Sequence, residues 1–132
     1  RGYVVVATVE QEATSRLATA RLRHRDGIVC DLAFATSGIE GEVVRSAETL
    51  EIFPDVLVPT ASPAALLAMK TLSVNPQRPR DLEDIRAILA ANPALREAEV
   101  TLLLEAVQTR GYARGQDLLE KWGQLRARFR GP

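Results

Sequence analysis

Residues 62–72 read Ser62-Pro63-Ala-Ala-Leu-Leu-Ala-Met-Lys70-Thr-Leu72, and this run predicts a mostly apolar helix. A serine followed by proline is typical of a helix N-cap and the first helical position. The longer segment from Val56 to Gln77 contains 22 residues, and Lys70 is the one charged residue among them. The fold around this helix therefore has to accommodate a single lysine in apolar surroundings.

Helical spacing puts Lys70 on or beside the apolar face, since it follows Leu66 by four residues and Leu67 by three. Burying an unpaired ammonium is costly, so we expect an acidic partner. The next charges along the chain form one cluster: Arg78, Arg80, Asp81, Glu83 and Asp84. We expect Asp81 or Asp84 to meet Lys70 and to frame a site for an anion such as phosphate.

A simpler interpretation of the same residues stays open. Lys70 can extend its stem along the helix and keep its ammonium in water. Asp81 and Asp84 can be the acidic first turn of a helix, where the helix dipole favours negative charge. In that case the cluster is structural.

The first third of the chain has a β-strand pattern. Strands are predicted over 3–9, 17–23 and 28–34, with the Asp26-Gly27 pair as the hairpin signal. Asp31 lies in the middle of the third strand, on the face opposite its apolar residues. It is either a site carboxylate or an edge-strand residue that faces water.

Helices dominate the remainder. The spacing Ser37-Gly-Ile-Glu40 is that of a capping box, which predicts a helix over 39–49. Strand-like residues follow over 51–58, interrupted by Pro54-Asp55. Helices are expected from Pro63, after an Asp81 cap, from Asn92-Pro93 to about Gly111, and after Gly115. The order predicts an α+β fold, with a small mixed β-sheet over 1–60 and a helical bundle over 61–132.

Composition limits the function classes. The chain has 132 residues, 46% of them hydrophobic, and a formal net charge of zero, so it is not a polyelectrolyte binder of nucleic acid. The single Cys30 excludes an internal disulfide and suits a reducing compartment, and we expect a cytoplasmic protein. Because the sequence starts at Arg1 directly before a strand pattern, we expect further residues upstream.

The strand 28–34 with Asp31, the run 63–70 with Lys70, and the segment Arg78-Pro-Arg80-Asp81-Leu-Glu-Asp84-Ile together resemble a known family. It is the AbiEii/AbiGii abortive-infection toxin family, within the polymerase-β-like nucleotidyltransferase superfamily. The resemblance implies transfer of a nucleotide from an NTP to a hydroxyl acceptor with Mg²⁺. It also implies a toxin of a toxin–antitoxin or abortive-infection system.

The resemblance assigns roles to five residues. Asp31 matches the third metal-site carboxylate of the family, and Lys70 matches the helix lysine that contacts the triphosphate or an active-site acid. Arg80, Asp81 and Asp84 match the polar motif that follows. In this interpretation Asp31 and Lys70 are catalytic, Asp31 binds metal, and Lys70, Arg80, Asp81 and Asp84 bind substrate.

One family motif has no match. The family begins with a Gly-Ser turn followed by an Asp-x-Asp strand, and neither a Gly-Ser dipeptide nor an Asp-x-Asp triplet occurs here. We expect this motif upstream of Arg1, and without it two-metal catalysis lacks two of its three carboxylates. The fragment alone is then expected to be inactive, with an exposed strand edge that favours a homodimer.

The alternative is a non-catalytic protein-interaction or substrate-binding module with a structural polar cluster. The sequence upstream of Arg1 distinguishes the enzyme from the non-catalytic module. A Gly-Ser turn followed by Asp-x-Asp supports the enzyme, and an unrelated linker supports the module. The expected partners of the enzyme are an NTP, a tRNA or protein acceptor, and a cognate antitoxin.

Overall fold

A computed structural model describes residues 2–11, 16–76 and 79–130. The chain divides into two compact units, residues 1–36 and 37–132. Among the described residues, no helix has both the length and the apolar character needed to cross a bilayer.

The first unit is a three-stranded antiparallel sheet. Its strands are β1 (Tyr3–Gln11), β2 (Arg16–His24) and β3 (Val29–Ala33), in the order β1-β2-β3. Gly27 has φ +87°, which glycine adopts without strain, and its N–H donates to the carbonyl of His24 at the turn between β2 and β3. The Asp-Gly signal thus identified the hairpin, and the register places Arg21 opposite Asp31.

The second unit begins with a short helix and a second hairpin. These elements are α1 (Glu40–Arg45), β4 (Glu48–Phe53) and β5 (Val56–Thr60). Glu40 accepts hydrogen bonds from the backbone and hydroxyl of Ser37, which is the reciprocal half of the predicted capping box. The N-cap residue of α1 is Ile39, not Ser37, and no side chain caps it. The helix predicted over 39–49 was too long, because Glu48 and Thr49 pair with β5 instead.

The β4–β5 turn consists of Pro54 and Asp55. Proline is favoured at the first central position of such a turn. Asp55, at the second central position, adopts a left-handed backbone with φ +63°. The backbone N–H of Asp55 donates to Oε1 of Glu51. This pair therefore divides the strand-like segment predicted over 51–58 into two strands.

Four helices follow: α2 (Pro63–Ser73), α3 (Pro79–Ala91), α4 (Glu97–Thr109) and α5 (Leu118–Arg130). Their apolar faces meet in one core that contains, among others, Leu67, Ile85, Leu104, Leu118 and Trp122. The Ser62 hydroxyl accepts a hydrogen bond from the N–H of Ala65, so the predicted N-cap of α2 is confirmed. Asp81 lies inside the first turn of α3, since that helix begins at Pro79, two residues before the predicted cap.

The α+β prediction is confirmed. The described strands form two small antiparallel sheets instead of one mixed sheet, because short hairpin turns connect β2 to β3 and β4 to β5. The predicted domain division after residue 60 stays a prediction. Several apolar side chains of the strands are exposed, among them Val4, Val9 and Leu57.

Candidate functional site: a lysine held by two carboxylates

Lys70 lies in the last turns of α2 and meets both candidate acids of α3. Its Nζ donates to Oδ1 of Asp81 over 2.8 Å and to Oδ2 of Asp84 over 2.5 Å. Asp81 and Asp84 are three residues apart, so they lie on the same side of α3. The prediction that a carboxylate holds Lys70 is confirmed, and the reading in which its ammonium extends freely into water is excluded.

Ser73 completes this cluster, and sequence analysis missed it. Its hydroxyl lies 3.1 Å from Oδ2 of Asp81 and 3.2 Å from the carbonyl oxygen of Lys70, and it can donate to either. Ser73 follows Lys70 by three residues, which places both on one side of α2. That spacing was the available signal, and we call Lys70, Ser73, Asp81 and Asp84 the lysine cluster.

The two acids of the lysine cluster differ in exposure. The side chain of Asp81 is 11% exposed, whereas that of Asp84 is 51% exposed and that of Lys70 31% exposed. Hydrogen bonds from Lys70 to Asp81 and then to Asp84 raise the pKa of Lys70, against the opposing effect of its partial burial. The lysine is therefore held in its charged form.

Arg80 of the predicted polar motif shows no hydrogen bond or ion pair to this cluster among the described residues. Arg80 is exposed at the start of α3 and forms no ion pair among the described residues. Arg78, which belongs to the resemblance, lies outside the described residues. The substrate-binding role of Arg80 stays a prediction.

Asp31 is paired within its own sheet. Nε and Nη2 of Arg21 each donate to one carboxylate oxygen of Asp31 over 2.8 Å, across neighbouring strands. This bidentate pair lowers the pKa of Asp31, chiefly through the hydrogen bonds from Arg21. Period-two alternation placed Asp31 opposite the apolar residues of its strand, but only the strand register shows that Arg21 lies across from it.

The described residues do not by themselves fit a metal ion. A magnesium site needs several oxygen ligands in octahedral geometry. Both oxygens of Asp31 already accept hydrogen bonds from Arg21, and among the described residues no three His, Cys, Asp or Glu side chains gather as a metal site. Asp31 and Lys70 belong to different compact units, and their shared cleft stays a prediction.

Comparison with known proteins gives one family. A family model described as "Nucleotidyl transferase AbiEii toxin, Type IV TA system" matches residues 14–131, which covers most of the chain. No curated protein sequence gives a significant match. The matched range contains Asp31 and the whole lysine cluster.

Proposed function

This chain belongs to the AbiEii family of nucleotidyltransferase toxins of type IV toxin–antitoxin systems, and from that premise we propose a role for its lysine cluster. In this proposal the protein transfers a nucleotide from an NTP to a hydroxyl acceptor. Lys70 binds the phosphates and offsets the negative charge that develops on them during transfer. Arg80 adds a second positive charge at the start of α3.

The observation that carries the proposal is the hydrogen bonding of Lys70. An ammonium has three N–H donors. Two of them go to Asp81 and Asp84, so one donor is left among the described contacts. A phosphate oxygen is a suitable acceptor for this third donor, because the lysine is already oriented and charged.

The unequal exposure of the two acids suggests how an anion is accommodated. Asp81 is largely buried and also accepts from Ser73, so it keeps its position. Asp84 is half exposed, and its side chain can rotate into water at small cost. We propose that a bound triphosphate accepts from the third donor of Lys70 and also takes the place of Asp84, while Asp81 continues to hold the lysine.

Asp31 and Mg²⁺ enter the proposal through the family resemblance. The carboxylate of Asp31 would have to leave Arg21 before it could bind a metal. The proposal places the remaining carboxylates in a first motif on a segment before residue 1. The full-length protein is therefore the form in which activity is expected.

Family membership also indicates which kinds of partner the protein has. Membership in a type IV toxin–antitoxin family indicates a nucleotide substrate and a cognate antitoxin. We propose a tRNA or protein hydroxyl as the acceptor, action in the cytoplasm, and a homodimer formed through an exposed sheet edge.

One observation favours a second candidate function. The bidentate pair of Asp31 with Arg21 is a complete structural arrangement that needs no metal. In a non-catalytic interaction or substrate-binding module, Asp31 would serve only to pair β2 with β3. The transfer assay below separates this candidate from the enzyme.

The test is nucleotide transfer by the full-length protein with labelled NTPs, Mg²⁺, and total tRNA or protein as acceptor. Lys70→Ala should lower kcat by roughly 10²–10³, the loss typical of one charge-stabilising donor. Arg86→Ala is the matched control, because Arg86 is an exposed cation of α3 without an ion pair in the described part of the chain. Full transfer by folded Lys70→Ala protein, or no transfer by the wild type, would reject the proposal.

A further inference from the structure

Lys121 in α5 is a half-buried lysine whose ammonium contacts uncharged oxygens. Its Nζ donates to the carbonyl oxygen of Val74 and to Oε1 of Gln116, each over 2.6 Å. Among the described residues no carboxylate forms an ion pair with it, and burial lowers its pKa. Lys121 thus differs from Lys70, whose charge is offset by two acids.

The position of Lys121 is electrostatically unfavourable in two respects. It lies in the first turns of α5, where the helix dipole disfavours a positive charge. It also loses hydration without gaining a carboxylate. A lysine that is unfavourable for its own helix indicates a favourable interaction with another element.

That interaction is with the C-terminal end of α2. The last carbonyls of a helix have no intrahelical donor, and a positive charge is favourable there. Val74 is the C-cap residue of α2. Gln116 contributes a second contact, because its Nε2 donates to the carbonyl oxygen of Leu72 over 3.4 Å. We call Lys121 and Gln116, with these two carbonyls, the α2–α5 brace.

The brace and the lysine cluster hold the same turn of α2. Lys70 and Ser73 contact Asp81 of α3. The carbonyl of Val74 accepts from Lys121 of α5, and the carbonyl of Leu72 accepts from Gln116, which precedes α5. The N–H of Val74 also donates to the carbonyl oxygen of Lys70 over 2.8 Å. A displacement of Val74 is therefore transmitted directly to the backbone of Lys70.

We propose that Lys121 is a positioning residue, which fixes the end of α2 so that Lys70 is held against Asp81 in the geometry for phosphate binding. The positioning of Lys70 rests on the geometry alone, and only its consequence for catalysis rests on the proposed function. Lys121 itself does not touch the nucleotide in this proposal.

The chain suits a direct test, because Lys70 and Lys121 are its only two lysines. In Lys121→Met protein with isotope-labelled lysine, the remaining lysine signal of residues 1–132 reports Lys70 alone. We expect the pKa of Lys70, measured by NMR titration, to fall from its raised value toward that of an ordinary lysine. An unchanged Lys70 titration in the folded variant would overturn the inference.

Arg130→Met is the matched control. Arg130 also lies in α5, and it donates to the carbonyl oxygens of Leu89 and Asn92 at the other end of α3. Its loss removes a comparable contact between a cation and backbone carbonyls at the opposite end of α3 from Asp81, and it also removes an ion pair with Glu97. The Lys70 titration should stay at its wild-type value in this variant, and an equal shift in both variants would show only general loosening of the fold.

Activity gives the second readout. In the transfer assay Lys121→Met should lower kcat by roughly ten- to hundredfold, since small misplacements of a positioned group reduce rates by such factors. Lys121→Arg should recover part of this loss, because its guanidinium also donates to carbonyls. If the wild type transfers nothing, the proposed function fails, while the NMR titration still decides whether Lys121 positions Lys70.

A second variant covers the case in which Lys121→Met does not fold. Gln116→Met removes one arm of the brace and leaves both lysines in place. The Lys70 pKa should again move downward, by a smaller amount. A folded Gln116→Met protein with the wild-type Lys70 titration would contradict the proposal.

Discussion

The Nζ atom of Lys70 and Oδ1 of Asp81 lie 2.8 Å apart, although eleven positions separate the two residues along the chain. The contact joins the end of α2 to the first turn of α3. It places a charged lysine against a largely buried carboxylate. Together with the contact to Asp84, it leaves one N–H of that lysine for a further acceptor.

The two acids of the lysine cluster should contribute unequally to stability. Asp81→Asn removes the buried negative charge and one of the two oxygens that accept from Lys70 and Ser73, so we expect a loss of about 1–3 kcal/mol in the free energy of unfolding. Asp84 is half exposed, and the same change there should cost about 0–1 kcal/mol. Urea unfolding of both variants measures the difference, and equal losses would show that burial does not separate the two acids.

Glu42 should make the fold sensitive to acid. The pKa of Glu42 is lowered from 4.5 to about 2, chiefly by a hydrogen bond from Arg110. A carboxyl with a lowered folded-state pKa stabilises the protein above its unfolded pKa, and this contribution is lost as the pH falls from about 4.5 toward 2. The stability difference between wild type and Glu42→Gln should therefore shrink over this range.

Denaturant unfolding at a series of pH values checks this prediction. Glu105→Gln is the control, because Glu105 is an exposed glutamate that forms no ion pair in the described part of the chain. A difference for Glu42→Gln that stays constant from pH 5 to pH 2 would show that the contact with Arg110 contributes nothing measurable.

Gly38 should tolerate alanine poorly. Its φ is +77°, and an added Cβ would lie 2.5 Å from Cδ2 of Tyr112. We expect Gly38→Ala to cost about 2–4 kcal/mol, from the left-handed backbone and from displacement of the tyrosine ring. Thermal and urea unfolding measure this loss.

Gly111 provides the control for Gly38. It ends α4 with φ +80°, but nothing lies within 4 Å of an added Cβ. Gly111→Ala should therefore cost only about 1–2 kcal/mol, the left-handed backbone contribution. The excess loss in Gly38→Ala measures the contact with Tyr112, and equal losses would show that the ring moves aside freely.

Replacing Thr71 with valine should increase the stability of the fold. The residue is fully buried, and its Oγ1 has no hydrogen-bond partner in the described structure. Replacing the hydroxyl with a methyl group removes an unsatisfied polar atom, so Thr71→Val should stabilise the protein by about 1 kcal/mol. Thr71→Ser keeps the hydroxyl and loses a methyl group, and it should destabilise by a similar amount. A loss of stability in Thr71→Val would mean that the hydroxyl has a partner after all.

Features encoded by neighbouring residues were predictable from the sequence. Ser62-Pro63 set the start of α2, and the Asp26-Gly27 pair marked the first hairpin. The isolation of Lys70 among uncharged residues indicated an acidic partner. Each of these predictions depends on capping, turn geometry or burial within a few residues, and such effects act whatever the rest of the chain does.

The end of the helix predicted over 39–49 was wrong, because it depends on residues that are distant along the chain. The predicted start of this helix at Ile39 is one residue from the observed start at Glu40, but the end of the helix had no comparable local signal. Glu48 and Thr49 joined β4 because their backbone groups pair with β5, a partner that lies further along the chain.

The sequence by itself determined that Lys70 sits on a mostly apolar helix and requires an acidic partner. Only the tertiary structure decided that Asp81 and Asp84 both meet it, that Ser73 joins them, and that Lys121 holds the same turn from α5. Those contacts depend on how α2, α3 and α5 pack, because hydrogen bonds between distant residues form only where packing brings donor and acceptor to about 3 Å.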